Sequence, residues 1–174
     1  MLRLRHRGYI AAAIAIIALI LAGCSAEKNT GASRFYNSLI SKYNIWFNGN
    51  EAYKAGVKKV TESHRDDYSD LLPVFEYSDE ASARMASSDM ERAVQKASKV
   101  IALHSITAKP EEKNRRNPSA KSDEFYNRRE FNEWVDDSYL LMGKAQFYQK
   151  NFMAARSSLS FAVSIATDRD LVTE

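Results

Sequence analysis

Cysteine, histidine and proline are scarce in this sequence of 174 residues, which has one, three and three of them. A single cysteine excludes a disulfide framework and a zinc site built from cysteines. There is no glycine-rich phosphate-binding loop, and Asp66, Asp67 and Asp70 lack the spacing of a calcium-binding loop. His104 lies near a predicted helix end, where we expect it to bind the last carbonyl oxygens. We therefore predict no catalytic site, no metal site and no cofactor, and expect a protein that is not an enzyme.

The excess of positive charge belongs to the first 23 residues. The whole chain has 25 basic and 22 acidic residues, and so a formal charge of +3. Arg3, Arg5 and Arg7 account for all of that excess, because residues 1–23 contain no acidic residue. The chain without this segment is neutral. Since nonspecific affinity for nucleic acid comes from neutralising phosphates, we expect no nucleic acid partner.

The N-terminus has the pattern of a secretion signal. The arginines precede an apolar run over residues 10–21, which is shorter than the roughly 20 residues that span a bilayer. The run ends in Leu21, Ala22 and Gly23 followed by Cys24, a motif that resembles the lipobox of bacterial lipoproteins. We prefer this interpretation to an ordinary signal peptide or an N-terminal membrane helix, because the cysteine directly follows Leu-Ala-Gly.

The lipobox resemblance implies that the chain is cut before Cys24, that the thiol of Cys24 carries diacylglycerol and that its amine is acylated. Several acyl chains anchor a protein stably, whereas one binds only marginally. By analogy with the known sorting rule, Ser25 in place of aspartate after the cysteine favours the outer membrane.

The chain after the signal is predicted to be all-α, made of antiparallel helical hairpins. No segment shows sustained strand alternation. We expect a signal peptide (residues 1–23) and a lipid-proximal tether (24–33), followed by an N-terminal helical and repeat-like region (34–106). A polar linker (107–122), a tetratricopeptide-repeat hairpin (123–166) and a short end (167–174) complete the chain.

Two hairpin helices and a long third helix are predicted in the N-terminal region. Phe35, Leu39, Tyr43 and Trp46 recur at helical steps, and residues 48–50 (Asn-Gly-Asn) predict a stop followed by a second helix over residues 51–63. The third helix is expected from about residue 80 to 105, with one face formed by Ala86, Met90, Ala93, Ala97, Ile101 and His104.

The last segment fits the 34-residue tetratricopeptide pattern. We assign the signature positions, in chain order, to Tyr139, Met142, Gly143, Phe152, Ala155, Leu159 and Ala162. The small residues Gly143 and Ala155 would let two helices cross closely. Gln146 and Thr167 depart from the usual tyrosine and proline. The alternative is a generic antiparallel helical hairpin that uses small residues.

Three blocks of sequence resemble the PorW/SprE family of lipoproteins from Bacteroidota. They are residues 43–53 (YNIWFNGNEAY), residues 67–69 with 72–74 (DYS and LPV), and residues 131–143 (FNEWVDDSYLLMG). This resemblance implies an outer-membrane protein with tetratricopeptide repeats that faces the periplasm and acts in type IX protein secretion and gliding motility. It implies other secretion-machinery proteins as partners and no small-molecule substrate.

Members of that family are several times longer, so we expect this chain to be an N-terminal portion with a truncated end at residues 167–174. Repeat geometry directs Asp137, Leu140, Lys144 and Phe147 toward the concave side, which makes them the candidate partner face.

Another helical outer-membrane lipoprotein remains the alternative, either a β-barrel assembly scaffold or a nutrient-capture protein that serves a transporter. Further tandem repeats downstream would favour secretion, whereas an aromatic sugar platform in a larger helical domain would favour capture.

Overall fold

The described part of the chain is built from helices. A computed structural model describes residues 28–69, 71–72, 74–75, 80–111 and 125–166, and no β-strand occurs in those ranges. The prediction of an all-α protein is therefore confirmed. The helices are α1 (Gly31–Ile40), a π-helical segment (Ser41–Trp46), α2 (Phe47–Ser63), α3 (Glu80–His104), α4 (Trp134–Tyr148) and α5 (Phe152–Ile165). The predicted signal, Cys24, residues 112–124 of the linker and hairpin regions, and residues 167–174 lie outside the described residues.

The first three elements form one unbroken helix over residues 31–63, which we call the N-terminal helix. It begins three residues before the predicted start of the helical region at residue 34, and the Thr30 side chain caps it by accepting a hydrogen bond from the Ser33 amide at 3.1 Å. The predicted stop at residues 48–50 is wrong. Gly49 is buried inside the helix and does not have a positive φ. The Asn48 side chain bonds back to the Asn44 carbonyl, 2.6 Å away, and so does not cap a new helix.

Packing against other helices explains the glycine at position 49. A Cβ atom there would lie 2.9 Å from Cβ of Lys96 on α3 and 3.2 Å from a methyl carbon of Leu141 on α4. Gly49 therefore marks a close contact among three helices. Glycine often ends a helix, but Gly49 instead lies within one and allows neighbouring helices to touch it.

The π-helical segment keeps one face of the N-terminal helix buried. Asn37, Ser41, Ile45 and Gly49 are all buried and follow one another at steps of four residues. In an α-helix of about 3.6 residues per turn, three such steps would rotate the buried face away from its partner. Hydrogen bonds that close five residues back, such as Phe47 N–H to the Lys42 carbonyl, widen the turn and correct this drift.

The aromatic stripe that predicts the first helix lies on the outside of the molecule. Phe35, Leu39 and Tyr43 are exposed, and only Trp46 is half-buried. An apolar stripe of a surface helix usually faces the core. Here the buried positions of α1 and the π-helical segment include the polar residues Asn37 and Ser41.

Small residues bring α2 and α3 together as an antiparallel pair. Ala52, Gly56 and Val60 face Ala86, Met90 and Ala93, and most of these form one buried cluster. Near the edge of this contact Lys59 forms an ion pair with Asp89. The buried residues of α3 are Ser82, Ala86, Met90, Ala93, Ala97 and Val100, whereas Ile101 and His104 of the predicted face are only half-buried.

Helix α4 is the central helix of the described region, since none of its residues is exposed. Its Val135 packs with Val100 of α3 and Ile45 of the π-helical segment. Aromatic pairs join it to the N-terminal helix: the Trp134 ring centroid lies 5.1 Å from that of Trp46, and the Tyr148 centroid lies 5.8 Å from that of Tyr53. Helix α5 covers a further side of α4.

Replacing Gly49 with valine should destabilise the fold by about 1–3 kcal/mol, because the new side chain would overpack the contact with Lys96 and Leu141. The measurement is chemical unfolding of the full chain in detergent, followed by circular dichroism. Gly31→Val is the control, since a Cβ at Gly31 would meet only an arginine side-chain atom 3.9 Å away. Equal stability of the two variants would contradict the close contact at Gly49.

Candidate functional site

The α4–α5 hairpin brings three of the predicted repeat residues into contact. A Cβ atom on Gly143 would lie 2.6 Å from Cγ of Leu159 and 3.3 Å from the carbonyl oxygen of Ala155, so the two helices cross where only glycine fits. The turn between them uses Lys150, the single non-glycine residue with a positive φ (61°) in the described ranges. Asn151 then caps α5 by accepting a hydrogen bond from the Ala154 amide at 3.4 Å.

The other assigned repeat residues have different environments. The ring of half-buried Tyr139 lies 4.5 Å from that of Phe161 on α5, and Ala162 is buried. The Met142 sulfur lies 3.5 Å from the Ser98 hydroxyl and so contacts α3. Phe152 is 53% exposed, although its ring centroid lies 5.5 Å from that of Phe147. Phe152, the apolar residue assigned to the start of the second repeat helix, therefore lies at the edge of the hairpin.

The four residues of the candidate partner face lie on one side of α4. Asp137, Leu140, Lys144 and Phe147 are spaced three or four residues apart, and each is half-buried. Helices α2, α3 and α5 contact the remaining sides of α4. Leu141 reaches Gly49 of α2, and Gln146 accepts a hydrogen bond from Ser158 of α5 at 2.8 Å.

The two ends of this side of α4 contact the N-terminal helix and α5. At one end the backbone carbonyl of Asp137 accepts a hydrogen bond from the Trp46 indole at 3.3 Å. At the other end the Phe147 ring contacts Phe152. This side of α4 thus carries an acid, a base and two apolar side chains.

Asn132 is a buried polar side chain at the end of the bundle where α3 finishes and α4 begins. It is 2% exposed. Its amide nitrogen donates to the Ser41 hydroxyl at 2.9 Å and to the His104 carbonyl at 2.8 Å. Its amide oxygen accepts from the Trp134 amide at 3.2 Å. One side chain thus binds the last carbonyl of α3, the first amide of α4 and the π-helical segment.

Glu130 organises the loop beside Asn132. One carboxylate oxygen accepts hydrogen bonds from the backbone amides of Ile106, Phe131 and Asn132, at 2.7, 3.0 and 2.8 Å. The other oxygen accepts the Ser105 hydroxyl. Residues 105–106 and 130–132 are therefore held together from two sides of the linker.

His104 binds α1 and not the carbonyl oxygens of its own helix, so that expectation is wrong. Its Nδ1 lies 2.8 Å from the side-chain oxygen of Asn37. Asn37 directs its amide nitrogen to the Ser33 carbonyl at 3.0 Å, so its oxygen accepts and the imidazole Nδ1 donates. Burial, with the Lys99 charge as a smaller cause, lowers the pKa of His104.

Sequence reasoning missed Asn37, Asn132 and Glu130, which together with Ser41 and His104 we call the polar junction. Their partners are up to 91 residues away along the chain. The one local signal was a pair of polar residues at positions 37 and 41, inside a helix whose aromatic residues point elsewhere.

The chemistry available in the described ranges is that of holding helices together. These ranges contain no group of three histidine, cysteine or acidic side chains that could bind a metal ion. Asp67 accepts hydrogen bonds from the Ser69 hydroxyl and amide, which lower the pKa of Asp67, and so forms a local turn. None of the helices described is long and apolar enough to cross a membrane.

Comparison with known proteins gives no assignment: no protein-family model matches the chain, and no curated protein is significantly similar to it.

The stability of the fold should fall as the pH is lowered through about 6.5, because the unfolded chain then binds a proton on His104 while the folded chain resists protonation until lower pH. His104→Gln, which can still donate to Asn37, should lose less stability over this interval. The free energy of unfolding at pH 7.5 and pH 5 measures the difference. An equal loss in the two proteins would show that His104 does not contribute to the pH dependence.

Proposed function

We propose that the chain is a lipid-anchored helical scaffold that acts through protein–protein contacts in type IX secretion and the associated gliding motility. The proposal combines the lipobox at residues 21–24, the resemblance of three sequence blocks to the PorW/SprE family, and the hairpin formed by α4 and α5. The acyl groups on Cys24 would be its only attached group, and it would face the periplasm from the outer membrane.

The crossing at Gly143 is the observation that carries the scaffold proposal. A tetratricopeptide hairpin needs a small residue in its first helix where the second helix crosses. Gly143 meets Leu159 and the Ala155 backbone at that point, which supports the repeat assignment. A generic hairpin would not need the glycine at the signature position.

We propose that the four side chains of the candidate partner face line a groove that binds a partner protein. Repeat proteins bind extended segments on concave surfaces. The groove floor carries Asp137, Leu140, Lys144 and Phe147, a mixture suited to a peptide or a helix of a partner protein. We propose that the partners are other secretion-machinery proteins and that the chain is not an enzyme.

Replacing Cys24 with alanine should release the protein from membranes or leave it as the unprocessed precursor, because the acylated thiol is the proposed anchor. Membrane fractionation and the intact mass of the product measure both outcomes. Ser25→Ala is the control and should be processed and acylated as the parent is. A Cys24→Ala product of normal mature length that carries lipid would contradict the anchor.

Changes in the groove should reduce binding of secretion subunits without unfolding the protein. Lys144→Glu or Phe147→Ala should lower co-purification of at least one such subunit by about tenfold, as expected when an interface side chain contributes 1–2 kcal/mol or more. Mass spectrometry of complexes from solubilised membranes is the measurement.

Lys58→Glu makes the same charge change as Lys144→Glu on an exposed part of α2 and serves as the control. Circular dichroism confirms folding of each variant. Unchanged recovery of every secretion subunit with both groove variants would remove the groove as the binding face.

A further inference from the structure

An exposed apolar surface runs along the start of the N-terminal helix. It consists of Phe35, Tyr36, Leu39, Tyr43 and Phe47, which we call the aromatic stripe. Phe35 is 70% exposed and Tyr43 is 60% exposed. Single exposed apolar residues are common, but five along one helix are the kind of surface that marks an interaction site.

The helix geometry makes the stripe continuous. A step of four residues overshoots a turn of an α-helix, which holds about 3.6 residues, and falls short of a π-helical turn, whose hydrogen bonds close five residues back. Phe35 and Leu39 lie in α1, Tyr43 lies in the π-helical segment, and Phe47 begins α2. The rotation of each four-residue step about the helix axis is therefore opposite in the α-helical and π-helical parts. The four side chains consequently stay on one side of the N-terminal helix.

Positive charge accompanies the stripe. Residues 24–50 contain three basic residues, Lys28, Arg34 and Lys42, and one acidic residue, Glu27, so their net charge is +2. The Lys42 ammonium lies 5.1 Å from the centre of the Tyr43 ring. The chain after residue 23 is neutral overall, so the positive charge of this segment is balanced by a net negative charge on the rest.

The stripe begins close to the proposed lipid anchor. Six residues lie between Cys24 and Gly31, and the seven Cα–Cα steps that join the two reach at most about 25 Å at full extension. If Cys24 holds its acyl chains in a bilayer, α1 must start within that distance of the membrane surface. Phe35 follows in the second turn of the helix.

We propose that the aromatic stripe lies in the interfacial layer of the membrane that holds Cys24, with its rings among the headgroups and its basic residues near anionic phospholipids. Tyrosine and other aromatic side chains favour this layer. Helices with an apolar face and basic flanks bind along the membrane surface. The inference rests on the acylation of Cys24 in the proposed function, and it adds a second contact that orients the bundle on the membrane.

The membrane fits this surface better than a protein partner does. The opposite face of the same helix is already buried through Asn37, Ser41 and Ile45, so only the outward side is available. The segment that carries the stripe has net positive charge and follows Cys24 closely in the sequence. A protein bound to the stripe would be the competing occupant.

The single cysteine of the chain makes a direct test possible. Because acylation blocks the Cys24 thiol, a cysteine introduced elsewhere is the sole thiol that reacts with a polarity-sensitive nitrobenzoxadiazole dye. Leu39→Cys places the dye on the stripe. Met153→Cys, at an 80%-exposed position on α5, is the control. Both full-length lipoproteins are reconstituted in vesicles of phosphatidylethanolamine and phosphatidylglycerol.

The dye at position 39 should emit at shorter wavelength than the dye at position 153. Nitroxide-labelled lipids should quench it at least about threefold more, since a surface-bound helix buries its apolar face about 5–10 Å into the headgroup boundary. Vesicles of phosphatidylcholine alone should weaken the difference, because the anionic headgroups are then absent.

Equal emission and quenching at the two positions would overturn the proposal. A shift at position 39 in native outer membranes but not in the vesicles would also overturn it, and would identify a protein as the occupant. Failure of the anchor is detected separately, because intact mass would show an unmodified Cys24 that also takes up the dye.

Discussion

The close approach of α2 and α3 is the constraint on which the rest of the described structure depends. At Gly49 and Gly56 there is no room for another atom between the helices, and alanines occupy most of the facing positions on α3. This proximity leaves few large aliphatic side chains between the two helices. Large side chains such as Trp46, Trp134, Tyr53 and Tyr148 are instead used where α4 joins them. Close-packed backbones fix the relative position of the helices tightly, since small interdigitated surfaces allow little sliding.

The polar junction fixes the ends of the same helices. Packing alone would leave the last carbonyls of α3 and the first amides of α4 without partners, and such buried groups are costly. Asn132 satisfies one group at each end, and Glu130 binds three amides of the loop. Residues 105–106 and 130–132 are therefore held together by hydrogen bonds.

The sequence predicted local features well and distant ones poorly. The crossing at Gly143 was predictable because both helices of the hairpin lie within one repeat pattern. Gly49 lies between two asparagines, which is also the pattern of a helix stop, and only the contacts with Lys96 and Leu141 distinguish the two uses. Asn132 was missed because its partners are far away in the chain. Glu130 was missed because it binds mainly backbone amides, which leave no pattern of side chains in the sequence.

The outward direction of the aromatic residues follows from the buried polar residues. Asn37 and Ser41 must face inward because His104 and Asn132 bind them there. Once that face is fixed, Phe35, Leu39 and Tyr43 must face outward, however apolar they are. Both sets of residues recur at steps of four, so periodicity alone does not show which set is buried. The hydrogen bonds of the polar junction therefore decide which side of the N-terminal helix is core, and they leave its apolar side free to contact another surface.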